Sequence, residues 1–294
     1  RNEISPRQSL MRLREFYQAE VEVFFNPENV DDFEMFVEVK SYRLRLMRDG
    51  QVKEIPLGQA VEEGLIPNRL VGYYLAVLQQ FYEAAGIDMK RLRFRVLSED
   101  EKAFYAKAAF DLEVETSLGW IELVACNDRG DYDLKRHSEV SKEDMAVMDG
   151  DDKVLPSIFE LSMGVDRSLY CIMEHSFVKE EGRDVLKLKR SLAPIQVGVF
   201  PLVNRDGLPS KAREVHNLLK KEFQTFYDES GSIGRRYRRL DKVGTPLGVT
   251  IDYDTLKDNT VTVRDRDSMQ QIRIKTPELL PKIRRFYLGE ELFR

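Results

Sequence analysis

The sequence predicts a two-domain protein, in which an α+β domain with an antiparallel sheet and added helices precedes a smaller α/β domain. At 294 residues the chain can enclose two hydrophobic cores. In the first half, short segments of alternating apolar and charged residues predict strands. After Pro194 strands alternate with helices, which is typical of a partly parallel sheet. We place the boundary in the charged stretch 179–189, and therefore expect domains at 1–190 and 191–294.

The composition indicates a folded, soluble chain with a heavily charged surface. Hydrophobic residues make up 42% and charged residues 33%, and no apolar run is long enough to cross a bilayer. The two cysteines, Cys126 and Cys171, form no CxxC pair, which argues against a disulfide scaffold or a zinc site and favours a reducing cytoplasm. Because the net charge is −5, contact with nucleic acid has to come from local basic clusters.

Turn residues and periodicity predict the elements of the first half. Residues 11–25 form a long strand that ends at Asn26-Pro27, and alternation around Asp49-Gly50 predicts a hairpin over 42–55. Apolar residues at helical spacing predict a helix over 68–85, with Asn68 as its N-cap. Further strands are predicted at 91–96, 111–116, 120–126 and 158–161, and a helix follows the last of them.

The second half contains a different series of elements. The prediction is a strand at 195–200, a helix at 210–223, a short strand, a basic helix at 235–243, a strand at 247–253, two short strands and a closing helix from Pro277. This order predicts a compact α/β domain.

The start of the chain carries side chains that suit a nucleotide. Arg1 and Glu3 precede a strand that bears Arg12 and Phe16, so a hairpin here could present guanidinium groups to a phosphate and a flat ring to a base. Taken alone, arginine and glutamate on adjacent strands are more often a surface ion pair.

A second set of polar residues lies in two apolar segments, 119–129 and 156–167. In the latter, Glu160 and Ser162 share one strand face, and Arg167 lies in the first turn of the following helix. A carboxylate within such an apolar strand is costly unless it meets a cation, so Glu160 needs a partner.

Taken together, the segments RNEISPR, GWIELVACNDR, YDL and GSIGRRYRRLDKVGTPLGVTIDYDT resemble glycyl-tRNA synthetases of the archaeal and eukaryotic type. The early segments are similar to motifs 2 and 3 of class II aminoacyl-tRNA synthetases, and the similarity covers nearly the whole chain, including residues 260–274. The resemblance implies a class II synthetase core that starts within motif 2, followed by an anticodon-binding domain. It also implies an ATP-dependent glycine–tRNA ligase that is a cytoplasmic homodimer.

The resemblance also implies roles for individual residues. Arg1 and Arg167 would be catalytic, with Arg1 on the α-phosphate and the glycine carboxylate and Arg167 on the γ-phosphate side. Glu3 would meet the adenine amino group, Phe16 would stack under adenine, and Arg12 would reach the distal phosphates. ATP and Mg²⁺ are expected, with Glu122 a possible metal neighbour but no protein metal site assigned. The glycine pocket would comprise Glu20, Arg129, Glu160 and Ser162.

A basic run marks the second domain. Arg235, Arg236, Arg238 and Arg239 surround Tyr237 behind the loop 231–234. Such a run is usually a solvated helix face, but an aromatic ring beside it could stack on an unpaired base. The resemblance implies that this domain binds the anticodon stem and loop of tRNA(Gly), so we expect the four arginines to contact tRNA.

Two alternatives stay open. A synthetase-like, non-catalytic accessory subunit of a DNA polymerase would keep the fold and lose the catalytic arginines or the pocket carboxylates. A class II synthetase for threonine, proline or histidine would need a pocket that admits a side chain. The chain lacks motif 1 and the first strand of motif 2, so we expect dimerisation through a missing N-terminal part. We expect no glycine activation by the 294 residues alone.

Overall fold

A computed structural model describes residues 2–4 and 15–293, with side chains described from Phe16 onward. Contacts divide the chain into two compact units, which meet in sequence between His175 and Ser176. This division precedes the charged stretch 179–189, in which the sequence analysis places the boundary. The reason is that residues 177–186 form a hairpin packed on a helix of the second unit.

The first unit contains an extended sheet and five helices within the described residues. Its strands are β1 (Asn2–Ile4), β2 (Glu15–Phe25), β3 (Arg43–Arg48), β4 (Gln51–Pro56), β5 (Leu92–Val96), β6 (Ala108–Thr116), β7 (Gly119–Gly130), β8 (Val147–Asp149), β9 (Asp152–Val154) and β10 (Ser157–Gly164). Its helices are α1 (Phe36–Val39), α2 (Leu57–Glu62), α3 (Arg69–Ala84), α4 (Tyr132–Ser141) and α5 (Val165–Ser176).

Eight of these strands form one sheet, in the order β1-β2-β10-β7-β6-β5-β3-β4. All neighbours are antiparallel except β3 and β5, so the predicted antiparallel sheet with added helices is confirmed. One face is apolar: Phe94, Phe110 and Phe159 are buried in one core with Leu75 and Tyr82 of α3. The opposite face of β2, β10, β7 and β6 carries mostly polar side chains. Because a strand alternates its side chains between two faces, this polar face is where a ligand can be held.

Local signals in the sequence fix two elements of this unit. Asn68 Oδ1 accepts a hydrogen bond from the backbone N–H of Val71 at 2.9 Å, which caps α3 as predicted. Asp49 and Gly50 both have positive φ, 50° and 76°, which turns β3 tightly into β4. The predicted helix and the predicted hairpin are both confirmed.

The second unit is an α/β domain preceded by a two-stranded hairpin. Its strands are β11 (Phe177–Glu180), β12 (Arg183–Leu186), β13 (Val197–Pro201), β14 (Thr225–Tyr227), β15 (Leu247–Ile251), β16 (Thr260–Asp265) and β17 (Gln271–Lys275). Its helices are α6 (Leu208–Leu219), α7 (Ile233–Val243), α8 (Tyr253–Asp258) and α9 (Thr276–Tyr287).

The sheet of this unit has the order β14-β13-β15-β16-β17. β13 is parallel to both β14 and β15, and the last three strands are antiparallel, so the predicted partly parallel sheet is confirmed. The predicted strand over 247–253 is too long. It ends at Ile251 because the Asp252 carboxylate accepts the N–H groups of Asp254 and Thr255, both at 3.1 Å, and starts α8.

Two glycines allow α7 to lie close to this sheet. A Cβ atom at Gly248 would collide with the Tyr237 ring, and one at Gly198 would collide with Leu240. Both collision partners belong to α7, so the absence of a side chain on β13 and β15 sets the helix-to-sheet distance.

No helix among residues 15–293 combines the length and the apolar character that a membrane span requires.

Candidate active site

Polar residues of three neighbouring strands form rows across the polar face of the first sheet. Glu20 on β2 lies opposite Ser162 on β10, and Glu22 lies opposite Glu160. On its other side, Glu160 lies opposite Asn127 of β7. Since paired residues on adjacent strands stand about 5 Å apart, side chains from β2, β10 and β7 meet on one face. Three of the four predicted glycine-site residues are therefore close neighbours.

Glu160 has the cationic partner that its apolar strand requires. It is 8% exposed, and its Oε2 accepts a hydrogen bond from Arg129 Nη1 at 2.6 Å. Arg129 also donates from Nη2 to Asp133 at 3.0 Å, and its guanidinium lies 4.9 Å from the centre of the Tyr105 ring. Burial tends to lower the pKa of Arg129, but the hydrogen bonds to Asp133 and Glu160 outweigh it and raise the pKa. Arg129 therefore remains a fixed positive charge beside Glu160.

Gln18 belongs to the same group, although sequence reasoning missed it. Its side-chain amide donates to Glu20 Oε1 at 3.2 Å and to the Ser162 hydroxyl. It thereby links β2 to β10 at the predicted glycine pocket. The available signal was its position two residues before Glu20, which places both on one strand face.

Two β-bulges interrupt β7, and the first of them brings Glu122 to the polar face. Against β6, the register shifts so that Leu112 pairs with Val124 but Glu113 pairs with Glu122, which makes Leu123 an extra residue. Against β10, the register shifts between Ile158 and Phe159, where Arg129 is the extra residue. An extra residue turns the following side chains to the other face. Without the first bulge, Glu122 would face the apolar core.

Arg167, the predicted motif 3 arginine, lies at the start of α5 beside β7. Its Nη1 donates to the backbone carbonyl of Glu122 and lies 3.8 Å from a Glu122 carboxylate oxygen. The preceding Asp166 accepts the backbone N–H of Tyr17 at 2.7 Å, which fixes α5 to β2. The strand-to-helix turn at Gly164 therefore holds Arg167 at the edge of the polar face.

A second carboxylate stands in the row of Ser162. Asp111 on β6 lies opposite Ala125, which in turn lies opposite Ser162. Burial and, to a smaller extent, the charge of Glu122 raise the pKa of Asp111 to about 6, although the ion pair with Arg95 at 2.7 Å opposes the rise. Asp111 was not predicted, because its segment shows only ordinary strand alternation.

The predicted ATP-binding residues are only partly within the described part of the chain. Arg1 and Arg12 lie outside it, and so does the side chain of Glu3. In the backbone register of β1 and β2, Glu3 lies opposite Phe16, whose side chain is half-buried. The roles implied for these four residues stay predictions.

In the second unit, Arg236 is not a surface residue. It is 2% exposed, and its guanidinium donates to the backbone carbonyls of Glu229 at 2.8 Å, Gly231 at 2.7 Å and Pro201. The expected tRNA contact at this position is therefore corrected: Arg236 holds the loop before α7 in place. The Tyr237 side chain also makes contacts within the domain: its ring packs on Phe200, and its hydroxyl lies 2.6 Å from Thr250 Oγ1.

The other three arginines of the run are exposed. Arg239 donates to Asp228 at 3.0 Å and to the carbonyl of Ser230 at 2.6 Å. These hydrogen bonds further stabilise the loop before α7. Arg238 has an ion-pair distance of 3.9 Å to Asp241. The helical period thus separates one buried arginine from three on the surface.

Comparisons with known proteins agree with this architecture. The family described as "Anticodon binding domain" matches residues 196–286. Glycine–tRNA ligase of Methanothrix thermoacetophila is 37% identical, and the alignment covers 100% of this chain and 65% of the relative. The corresponding protein of Archaeoglobus fulgidus is 37% identical, with 99% and 64% covered. That of Methanocaldococcus jannaschii is 35% identical, with 99% and 66% covered. The chain thus spans slightly less than two thirds of the length of these relatives.

An antiparallel sheet with helices, followed by an anticodon-binding domain, defines the class: a class II aminoacyl-tRNA synthetase core with its anticodon-binding domain. Within that class, the chain belongs to the glycine–tRNA ligase family.

Proposed function

We propose that the protein containing this chain is a glycine–tRNA ligase, which activates glycine with ATP and transfers it to tRNA(Gly). The observation that carries the proposal is the ion pair of Arg129 and Glu160 beside the row of Glu20 and Ser162. It supports a small, charge-lined pocket in a chain whose relatives are named glycine–tRNA ligase.

The pocket suits an amino acid without a side chain. The carboxylates of Glu20 and Glu160 would pair with the ammonium group of glycine, and Arg129 would face its carboxylate. The Gln18 amide donates a hydrogen bond to the Ser162 hydroxyl between the strands, so a larger substrate side chain would have to break this contact. Steric exclusion would therefore separate glycine from alanine and serine.

The proposed chemistry is an in-line attack of the glycine carboxylate on the α-phosphorus of ATP. The bond to pyrophosphate breaks, and the glycyl group then passes from the adenylate to the terminal ribose of tRNA. No protein nucleophile is needed, so catalysis would depend on positioning and on neutralising phosphate charge. Arg1 and Arg167 are proposed for that task, with Arg12 on the distal phosphates. Glu3 and Phe16 are proposed to hold adenine.

Mg²⁺ fits the carboxylates of this face. The described residues contain no group of three potential ligands, but Mg²⁺ on a nucleotide commonly uses only one or two carboxylates besides phosphate oxygens. We propose that Glu122, with 45% of its side chain exposed, and its neighbour Asp111 would hold it. When bound, the ion would neutralise phosphate charge.

The remaining assignments follow from the family. We assign adenylate formation to the domain expected at 1–190 and recognition of the anticodon to the domain expected at 191–294. Arg235, Arg238 and Arg239 are proposed to contact the tRNA, and Arg236 to support them from beneath. We further propose a cytoplasmic homodimer.

The first test is ATP–pyrophosphate exchange by the full-length protein with glycine, alanine, serine, threonine or proline. We expect exchange with glycine alone. Because Glu160 makes a charge-assisted hydrogen bond, Glu160→Gln should lower the exchange rate by about 10- to 100-fold.

Glu54→Gln is the matched control, since Glu54 pairs with Arg43 at the exposed hairpin of β3 and β4. It should leave exchange within about two-fold of the wild type. A folded protein that catalyses exchange with no amino acid would contradict the proposal. Exchange with threonine or proline would indicate a synthetase for that amino acid instead.

A further inference from the structure

Three aromatic rings form a cluster at the edge of the candidate active site. Phe104 and Tyr105 lie in the loop between β5 and β6, and Tyr132 begins α4. The Phe104 ring meets Tyr105 at 5.3 Å and Tyr132 at 5.5 Å, both nearly perpendicular, and the two tyrosine rings stack at 5.9 Å. The tyrosines are half-buried, but Phe104 is 85% exposed. The cluster therefore holds one aromatic ring out in solvent.

The cluster is continuous with the proposed glycine pocket. The Tyr105 ring lies 4.9 Å from the guanidinium of Arg129, and the same guanidinium donates to Glu160. Arg129 therefore lies in contact with both the aromatic cluster and the proposed glycine pocket.

Cationic side chains accompany the aromatic cluster. Arg136 lies 5.7 Å from the centre of the Tyr132 ring, and its side chain is 62% exposed. Lys107 and Lys135 are exposed, two residues after Tyr105 and three residues after Tyr132 respectively. Arg136 and Lys135 pair with Glu139 and Asp131 at the surface, where such pairs are weak and can exchange for a phosphate. Aromatic rings with interleaved cations suit single-stranded nucleic acid.

We propose that Phe104, supported by Tyr105 and Tyr132, is a stacking platform for an unpaired base in the 3′-terminal segment of the tRNA. The inference rests on the proposed function, since a glycyl acceptor has to bring its terminal ribose to the adenylate. An unpaired base stacks on an aromatic face regardless of its identity, so the platform would position the acceptor without reading sequence. Phe104 would be a positioning residue, because it touches none of the reacting groups of the adenylate.

The test compares Phe104→Ala with Phe104→Trp in the full-length protein. Loss of one base–aromatic contact should lower kcat/KM for tRNA(Gly) in aminoacylation by about ten-fold, and tryptophan should restore it. ATP–pyrophosphate exchange without tRNA should stay within two-fold for both variants. Phe81→Ala is the control, because Phe81 is a 52% exposed phenylalanine on α3, away from the polar face.

A direct binding probe separates this inference from the proposed function. The probe is an RNA hairpin with 2-aminopurine in an unpaired 3′ overhang, compared with the same label in a blunt hairpin. Overhang-dependent quenching that Phe104→Ala removes would support the platform even if no amino acid were activated. The inference is overturned if Phe104→Ala leaves aminoacylation and quenching unchanged or impairs exchange equally. It is also overturned if this variant changes the mass of the assembly, since the ring would then bind a protein.

Discussion

At the scale of single residues, the charges of the polar face are held by pairs rather than by solvent. Arg129 joins Glu160 to Asp133, and Arg95 joins Asp111 to Glu101. Each arginine uses the planar fork of its guanidinium to satisfy two carboxylates at once. A lysine ammonium is a point charge without this planar fork, so the identity of these residues follows from geometry as well as from charge.

Asp111 gives the clearest prediction about pH. Its pKa of about 6 in the folded protein lies above the value of about 3.9 expected in the unfolded chain. The folded state therefore binds this proton more tightly. The resulting stabilisation is fully present below about pH 4 and is lost as pH rises through 6. Titration of the Asp111 carboxyl by ¹³C NMR should give a midpoint near 6, and a midpoint near 4 would contradict the prediction.

At the scale of elements, the two bulges of β7 decide which side chains reach the active site. The second bulge needs a backbone that turns sharply after Arg129, and Gly130 provides it with φ of 56°. A Cβ atom there would lie 2.5 Å from the Lys107 side chain. Gly130 therefore determines the backbone path directly after Arg129.

Comparing Gly130→Ala with Gly150→Ala should distinguish a loss of stability from a loss of activity. An alanine with positive φ loses about 1 kcal/mol of unfolding free energy. Gly150→Ala should lose a similar amount, because Gly150 has φ of 63° and open space around it in the turn between β8 and β9. Only Gly130→Ala should also lower glycine-dependent exchange, since it moves Arg129. Equal exchange rates in the two variants would show that the bulge does not position Arg129.

At the scale of the whole molecule, the second unit is tied together by buried ion pairs. Asp241 on α7 is 1% exposed and pairs with Arg264 of β16 at 3.0 Å and with Arg183 of β12 at 3.3 Å. Arg183 also donates to the carbonyl of Arg266 at 2.8 Å. One carboxylate thus joins the hairpin β11–β12 to the anticodon-binding domain, which is why the unit begins before this hairpin.

Asp241→Asn should leave the buried Arg264 without its counter-charge and Arg183 with Glu180 as its carboxylate partner. Breaking a buried pair in this way costs about 3–5 kcal/mol. Hydrogen–deuterium exchange should accelerate in β12, α7 and β16, with protection of the first unit unchanged. Asp184→Asn is the control: Asp184 pairs with Lys242 at 3.4 Å, and both side chains are well exposed. Slow exchange in all three elements of the Asp241 variant would argue against the tether.

The sequence by itself determined the class of fold, the family and most of the elements. Asn68, Asp49-Gly50 and the strand alternation act locally, so the helix, the hairpin and the sheet could be predicted from neighbouring residues. The need of Glu160 for a cation was also predictable, because the desolvation of a carboxylate in an apolar strand depends on its immediate surroundings.

Only the tertiary structure decided which side chains meet. The bulge that turns Glu122 to the polar face arises from pairing with β6, and the bulge at Arg129 arises from pairing with β10. A single strand carries no signal of its register. The burial of Arg236 and the exposure of Phe104 depend in the same way on what packs around each position. Sequence periodicity assigns a face to a residue, but long-range contacts decide whether that face is buried, paired or open to a substrate.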